Sequence, residues 1–223
     1  MSKRLLILQA CGIESESWEC ENLKAHAKHY HMGVDDHCVK DNAHLAEIMS
    51  NILQKQLMYD YIYLSSHGNK EIDGFKSENG KVYSTWDEFG NELCISECLN
   101  ENCIVMLSCC RAGLNHVAFE LFLACDYIDY VIGPREKLSS VEMINAFNIV
   151  MFNLEHRDID PVRACKKVEE GIDIRKMCFD REETVETYSY KMFELKRNAE
   201  YAEEPAEEIE DVKLKVEANG VAN

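Results

Sequence analysis

Short apolar runs alternate with longer segments of helical periodicity along most of this chain. The runs at 5–9, 59–64, 104–107 and 127–132 have the length and the β-branched or aromatic content of buried strands, and 34–39 is predicted as a shorter strand. Strands that alternate with helices form a mainly parallel sheet with helices on both faces. The pattern therefore predicts an α/β fold.

The segments between these strands carry the caps and apolar stripes of helices. Helices are predicted over 14–30, from Asp41 or Asn42 through Leu53, over 117–125, from Ser139 or Ser140 to about His156, and from Pro161 onward. In the first helix, the residues expected on the inner face are Trp18, Leu23, Ala25 and Ala27. The stretch 69–102 is rich in glycines and acids, and predicts a loose connection.

Composition narrows the class of protein. The 223 residues suit one domain with a core, and the formal charge of −17 argues against nucleic acid or an anionic membrane as a partner. We identify no export signal and no stretch long enough to cross a bilayer. The cysteine count, eleven, is odd, so we expect reduced thiols and a cytoplasmic location.

The end of the chain differs in composition from the rest. From about residue 198 it is rich in Glu and Ala, and it has no aromatic residue after Tyr201. Such a segment buries too little apolar surface to offset the entropy of ordering. We therefore expect one domain over 1–197 and an acidic, disordered tail over 198–223.

A histidine and a cysteine follow two of the predicted strands. His67 comes after 59–64 and Cys110 after 104–107, and sites in parallel sheets form beyond the carboxyl ends of the strands. A cysteine nucleophile needs a base for its proton and donors for the oxyanion. His67 fits the base, Cys110 the nucleophile, and the backbone N–H groups of Gly68 and Cys110 the oxyanion donors.

The motifs around this pair resemble the caspase-like cysteine peptidases, which include caspases, separase, gingipains and bacterial CHAT domains. The likeness rests on Ser-His-Gly at 66–68 and Ser-x-Cys-x-x-Gly at 108–113, each after a strand. Val131-Ile132-Gly133, Ala146-Phe147 and the Pro-x-x-Ala at 161–164 are most similar to the CHAT pattern. The resemblance covers roughly 5–168. It implies a three-layer α/β sandwich and an endopeptidase that works through a thioester, with no metal or other cofactor.

The resemblance also bears on specificity and partners. CHAT domains often carry Trp-x-Val-x-Asp where this chain has 135–140, and that acid is associated with a basic residue at the cleavage site. Since the acid is missing, Arg135 is expected to favour an acidic or polar substrate side chain. The families imply a peptide substrate and activation by a protein partner, a second copy, self-cleavage or a small signalling ligand.

The choice of nucleophile stays open at the level of sequence. Cys109 competes with Cys110, because adjacent side chains at a strand end point opposite ways; Gly113 favours Cys110. Cys11, in a Gln-Ala-Cys-Gly string, is interpreted as a core residue.

Two other functions stay open. One is a catalytically silent ligand-sensing or interaction module on the same fold. The other is a metal-binding protein. Its candidate ligands have poor spacing for zinc; they are His26, His29, His31, His37 and Cys38.

Overall fold

The computed structural model describes residues 2–69, 72–173 and 176–185. The chain up to Thr184 forms one compact unit, and a second unit begins at Val185. The boundary predicted at residue 197 and the acidic tail over 198–223 lie outside the described residues. Within the described residues, no helix is long and apolar enough to span a membrane.

Strands and helices alternate through the first unit. In chain order the strands are β1 (Arg4–Gln9), β2 (Gly33–Cys38), β3 (Tyr59–Ser65), β4 (His67–Gly68), β5 (Gly74–Lys76), β6 (Tyr83–Thr85), β7 (Leu99–Ser108), β8 (Ile128–Pro134) and β9 (Lys176–Asp180). The helices are α1 (Glu14–His29), α2 (Asn42–Gln54), α3 (Trp86–Ile95), α4 (Asn115–Ala124), α5 (Ser140–Glu155) and α6 (Pro161–Ile172). Each predicted strand and helix is present, with its ends moved by a few residues.

Six strands form the central sheet in the order β2-β1-β3-β7-β8-β9. The first four neighbouring pairs are parallel, and β9 runs antiparallel to β8 at the edge. The mainly parallel sheet is confirmed, and β9 is an addition that the sequence pattern did not indicate. Strands β4, β5 and β6 form a separate small antiparallel sheet.

The central strands are buried on both faces, which explains why they are continuous apolar runs. Alternate residues of β1 and β3, such as Ile7 and Tyr63, join a core with α1, α5 and α6. The intervening residues, such as Leu8 and Leu64, are also fully buried, toward the face where α2, α3 and α4 lie. Burying such a side chain contributes about 1.5–3 kcal/mol. The result is a three-layer α/β/α sandwich.

The inner face of α1 agrees with the prediction at Leu23 and Ala27 but not at its other two positions. Trp18 is 63% exposed and Ala25 is also exposed, whereas Cys20, Leu23 and Ala27 are buried against the sheet. Positions 20, 23 and 27 follow the helical repeat, and 18 and 25 fall on the opposite side. The bulk of Trp18 misdirected the prediction, because periodicity and not size decides which face is buried.

The stretch 69–102 is more ordered than its glycines and acids suggested. Its described part contains β5, β6 and α3, and Thr85 and Glu88 form a capping box at the start of α3. Phe75 packs on Phe89 and Trp86, with ring centroids 5.3 and 5.7 Å apart. The prediction of a loose connection is therefore wrong for 74–95. This segment has no clear hydrophobic period, and the packing of its aromatic side chains orders it instead.

Two glycines let the β7–α4 turn cross the end of β8. A Cβ on Gly113 would lie 2.3 Å from the carbonyl oxygen of Gly133, and a Cβ on Gly133 would lie 2.7 Å from the carbonyl carbon of Ala112. The Gly113 N–H donates to the carbonyl of Pro134 at 2.8 Å. The two backbones are therefore in direct contact, which holds the turn after Cys110 onto the sheet.

We expect Gly133→Ala to lower the free energy of unfolding by about 1–3 kcal/mol, because the added Cβ overpacks backbone on both sides. Denaturant unfolding measures the change. Gly171→Ala is the matched control, since its Cβ would meet nothing within 4 Å and the residue lies in α6. That change should stabilise by about 0.5–1 kcal/mol. Two variants of equal stability would contradict the close contact.

Candidate active site

The strand register brings three residues to one edge of the sheet. Ser65 of β3 pairs with Gln9 of β1 on one side and with Ser108 of β7 on the other. Two residues beyond this row stand Cys11, His67 and Cys110. Parallel strands end at the same edge, so His67 lies between the two cysteines. The sequence predicted the pairing of His67 with Cys110 but not the presence of Cys11.

A cavity of about 150 Å³ opens at this edge. Its walls come from the ends of β1, β3 and β7, from the start of α1, and from the loop that leads into α5. The lining residues are Cys11, Ile13, Glu16, Glu19, Ser65, Ser66, His67, Ser108, Cys110, Leu138, Ser139, Ser140 and Met143. An imidazole and a thiol on one small cavity are the groups that acyl transfer requires.

Accessibility separates the two adjacent cysteines after β7. Cys109 is fully buried, and that burial holds the pKa of its thiol well above the usual range. Cys110 is half-buried and lines the cavity. A thiol that keeps its proton in the core is a poor nucleophile, so the geometry favours Cys110.

Cys11 contacts His67 directly. Its Sγ lies 3.1 Å from Nε2 of the imidazole, while the side chain is only 4% exposed. Burial, with Glu16 and Glu19 nearby, raises the pKa of the Cys11 thiol to about 12. The sequence interpretation of Cys11 as a core residue matches its burial but missed this contact. The register of β1 with β3 is the signal that would have found it.

Glu16 holds the turn that carries Cys11. From the first turn of α1, its two carboxylate oxygens accept hydrogen bonds from the backbone N–H groups of Cys11 and Gly12, at 2.6 and 2.7 Å. Gly12 has a φ of +82°, which glycine adopts without strain. Burial raises the pKa of the Glu16 carboxyl, while these hydrogen bonds act in the opposite direction. The turn is thus fixed by a buried carboxylate.

Gly68 packs its backbone on the turn that carries Cys110. A Cβ at this position would lie 2.3 Å from the carbonyl oxygen of Cys110, which no side chain could tolerate. The Ser66 N–H donates to the carbonyl of Ser108 at 3.3 Å, so the two turns are linked on both sides of His67. Glycine is therefore required at this position by the close approach of the chain's own backbone.

The fold can be compared with solved structures now that the site is described. No protein-family model and no curated protein sequence matches the chain. The structure of iotapain, a secreted C11 cysteine protease from Bacteroides thetaiotaomicron, superposes with a TM-score of 0.59 at 10% identity, over 82% of this chain and 68% of that one. The chain has a caspase-like fold. The Drosophila initiator caspase Dronc is also similar, with a TM-score of 0.49 at 8% identity, over 80% and 79% of the two chains.

The loop after β8 closes one side of the site in this caspase-like fold. Arg111, next to Cys110, has a φ of 63°, and its N–H donates to the carbonyl of Glu136 at 3.3 Å. Leu138 and Ser139 follow in the cavity wall. Arg135, the predicted substrate-binding residue, precedes them in the sequence and is half-buried. It is not one of the described residues that line the cavity.

The remaining cysteines and histidines form no metal centre in the described part of the chain. No group of three or more His, Cys, Asp or Glu residues there is arranged to hold an ion. All eleven cysteines fall within the described residues, and each is a free thiol.

We expect Cys110 to react with iodoacetamide faster than the other ten cysteines at neutral pH, because it is accessible and lines the same cavity as an imidazole. Mass spectrometry of timed samples gives the rate at each thiol. Cys38 is the internal control, since it is more exposed than Cys110 and lies at the end of β2. A Cys110 rate equal to or below that of Cys38 would argue against an activated thiol.

Proposed function

We propose that this chain is a caspase-like cysteine endopeptidase in which Cys110 is the nucleophile and His67 the general base. The observation that carries the proposal is the register of β3 with β7, which puts both residues on one cavity while leaving only Cys110 of the adjacent thiols accessible. The caspase-like fold supports it, because neighbours with this fold include cysteine proteases.

The proposed reaction runs through a thioester. The Cys110 thiol gives its proton to His67 as sulfur bonds to the substrate carbonyl carbon, and the carbonyl oxygen takes the negative charge. The backbone N–H groups of Gly68 and Cys110 are the proposed donors to that oxyanion. Collapse breaks the C–N bond, and the leaving amine takes the proton from His67. Water, deprotonated by His67, then releases the acid and returns Cys110 to its thiol form. The proposed chemistry uses only side chains and backbone, with no metal or organic cofactor.

Arg135 is proposed to contact the substrate. The support for this role is its place in the sequence, between the end of β8 and the loop residues that line the cavity. A guanidinium favours an acidic or polar side chain. Cleavage of a peptide library by the purified protein separates this preference from a basic one, for which Glu16 and Glu19 in the cavity wall would be the attracting groups.

We also propose that the isolated chain is a resting form. Its cavity of about 150 Å³ is smaller than the 300–1,000 Å³ typical of ligand pockets, so a peptide segment needs the wall to move. The loop that carries Leu138 and Ser139 is the candidate to move. An activating protein partner, a second copy or a small signalling ligand would then act by binding the open form more tightly. A cytoplasmic location is also proposed, because an odd number of cysteines, eleven, favours reduced thiols over a disulfide framework.

Cys110→Ala and His67→Ala should each reduce peptide hydrolysis by about 10³-fold or more, and the double variant should match either single one, because paired catalytic groups act as a unit. Fluorescent casein and the cleaved library peptides are suitable substrates. Cys109→Ala is the control, which should retain activity. If Cys109→Ala abolished hydrolysis and Cys110→Ala did not, the nucleophile would be Cys109.

Turnover by the purified chain should be low and should rise with protein concentration or on addition of an activator. The reason is that substrate must wait for a minor open state. Measuring turnover of a library-selected peptide across a wide range of enzyme concentrations tests this. Full turnover at every concentration, with neither partner nor ligand, would show a constitutively active monomer instead.

A further inference from the structure

A second group reaches the same nitrogen of His67. Glu78 stands in the turn between β5 and β6, and its Oε2 atom lies 3.0 Å from Nε2. Cys11 Sγ lies 3.1 Å from that nitrogen. Both a carboxylate and a thiol therefore lie within hydrogen-bond distance of Nε2, which leaves Nδ1 as the ring nitrogen available to Cys110.

The backbone around Glu78 is fixed in place. Its N–H donates to the carbonyl of Cys11 at 2.8 Å, which ties the β5–β6 turn to the end of β1. Within the turn, the N–H of Ser77 donates to the carbonyl of Val82 at 2.9 Å, and the side chain of Ser77 is buried. The carboxylate thus extends from a held position, although the side chain itself is 68% exposed.

The two neighbours of Nε2 favour different forms of the ring. A carboxylate only accepts, so Glu78 requires a proton on Nε2 and leaves Nδ1 with its lone pair. The Cys11 thiol keeps its proton, because burial raises its pKa to about 12, and donation from S–H to Nε2 would leave the ring proton on Nδ1. Only the first form can accept a proton from Cys110 at Nδ1. Carboxylates form the stronger hydrogen bond of the two.

We propose that Glu78 is the positioning residue of His67, selecting the ring form with its proton on Nε2 so that Nδ1 is free to act as the base for Cys110. This inference rests on the proposed function for its catalytic consequence, but the form of the ring is a property of the protein at rest. Glu78 acts through His67 and touches no substrate. When His67 takes the proton of Cys110, the same carboxylate stabilises the positive ring.

The test compares the wild type with Glu78→Gln, Glu78→Asp and Glu101→Gln. Glu101 is an exposed acid in β7, so its variant removes the same charge away from the site. Nitrogen chemical shifts of the His67 ring, measured by NMR on labelled protein, report which nitrogen carries the proton. Peptide hydrolysis gives kcat and KM separately.

We expect a proton on Nε2 in the wild type, in Glu101→Gln and in most molecules of Glu78→Asp, and a mixture of both forms in Glu78→Gln. We expect kcat of Glu78→Gln to fall about 10-fold with KM little changed, less than for a buried triad carboxylate because Glu78 is largely exposed. Glu78→Asp should recover most of that loss.

A wild-type ring with its proton on Nδ1, or a Glu78→Gln ring identical to the wild type, would overturn the inference even if the enzyme is active. Failure of the proposed peptidase function would give a different result. If no variant hydrolyses peptides but the ring form still depends on Glu78, the positioning role stands and the proposed peptidase function fails.

Discussion

The parallel register of β3 with its two neighbours is the constraint on which the rest of the site depends. Ser65 faces Gln9 on one side and Ser108 on the other, and everything chemical follows two residues later. Side chains alternate along a strand, so a slip of one residue would exchange the two faces of β3. Tyr63 would then point to the face of the sheet that Leu64 now occupies, and the reverse. Cys109 would take the place of Cys110 opposite His67. The fully apolar burial on both faces therefore fixes the active-site alignment as well as the fold.

Close backbone contact is the second requirement, and it explains where the glycines lie. Gly68 sits against the carbonyl of Cys110, and Gly113 sits against Gly133. These contacts bring the ends of β3, β7 and β8 closer than residues with side chains would permit. Arg111 between them has a φ of 63°, a conformation that costs a non-glycine residue on the order of 1 kcal/mol. The packing of the turn on β8 offsets that strain, and so Cys110 is held in place although it lies outside any helix.

Much of this fold could be predicted from the sequence because its elements are locally specified. Asp41 accepts a hydrogen bond from the His44 N–H at 2.8 Å, and Ser139 forms a capping box with Glu142, as side-chain caps in those segments indicated. The features that could not be predicted depend on distant partners. The β5–β6 hairpin is ordered by aromatic rings that pack on α3, and β9 is held by pairing with β8. His67 and Cys110 could be singled out as candidates because each follows a strong strand, whereas the contacts of Cys11 and Glu78 arise only once strands and turns meet.

Three acidic side chains near His67 and Cys110 differ in burial, and their burial decides which contacts each can make. Three carboxylates lie near this pair of residues: those of Glu16 and Glu19 line the same cavity, and that of Glu78 lies beside the His67 ring. The two buried ones have other bonds to make: Glu16 holds the turn at Cys11, and Glu19 accepts from the Tyr63 hydroxyl at 2.6 Å. Glu78 is the most exposed of the three, so water and salt screen its charge beyond the 3.0 Å contact with the ring. In the proposed mechanism, a carboxylate at this position would orient His67 through that short contact, with little long-range electrostatic effect on Cys110.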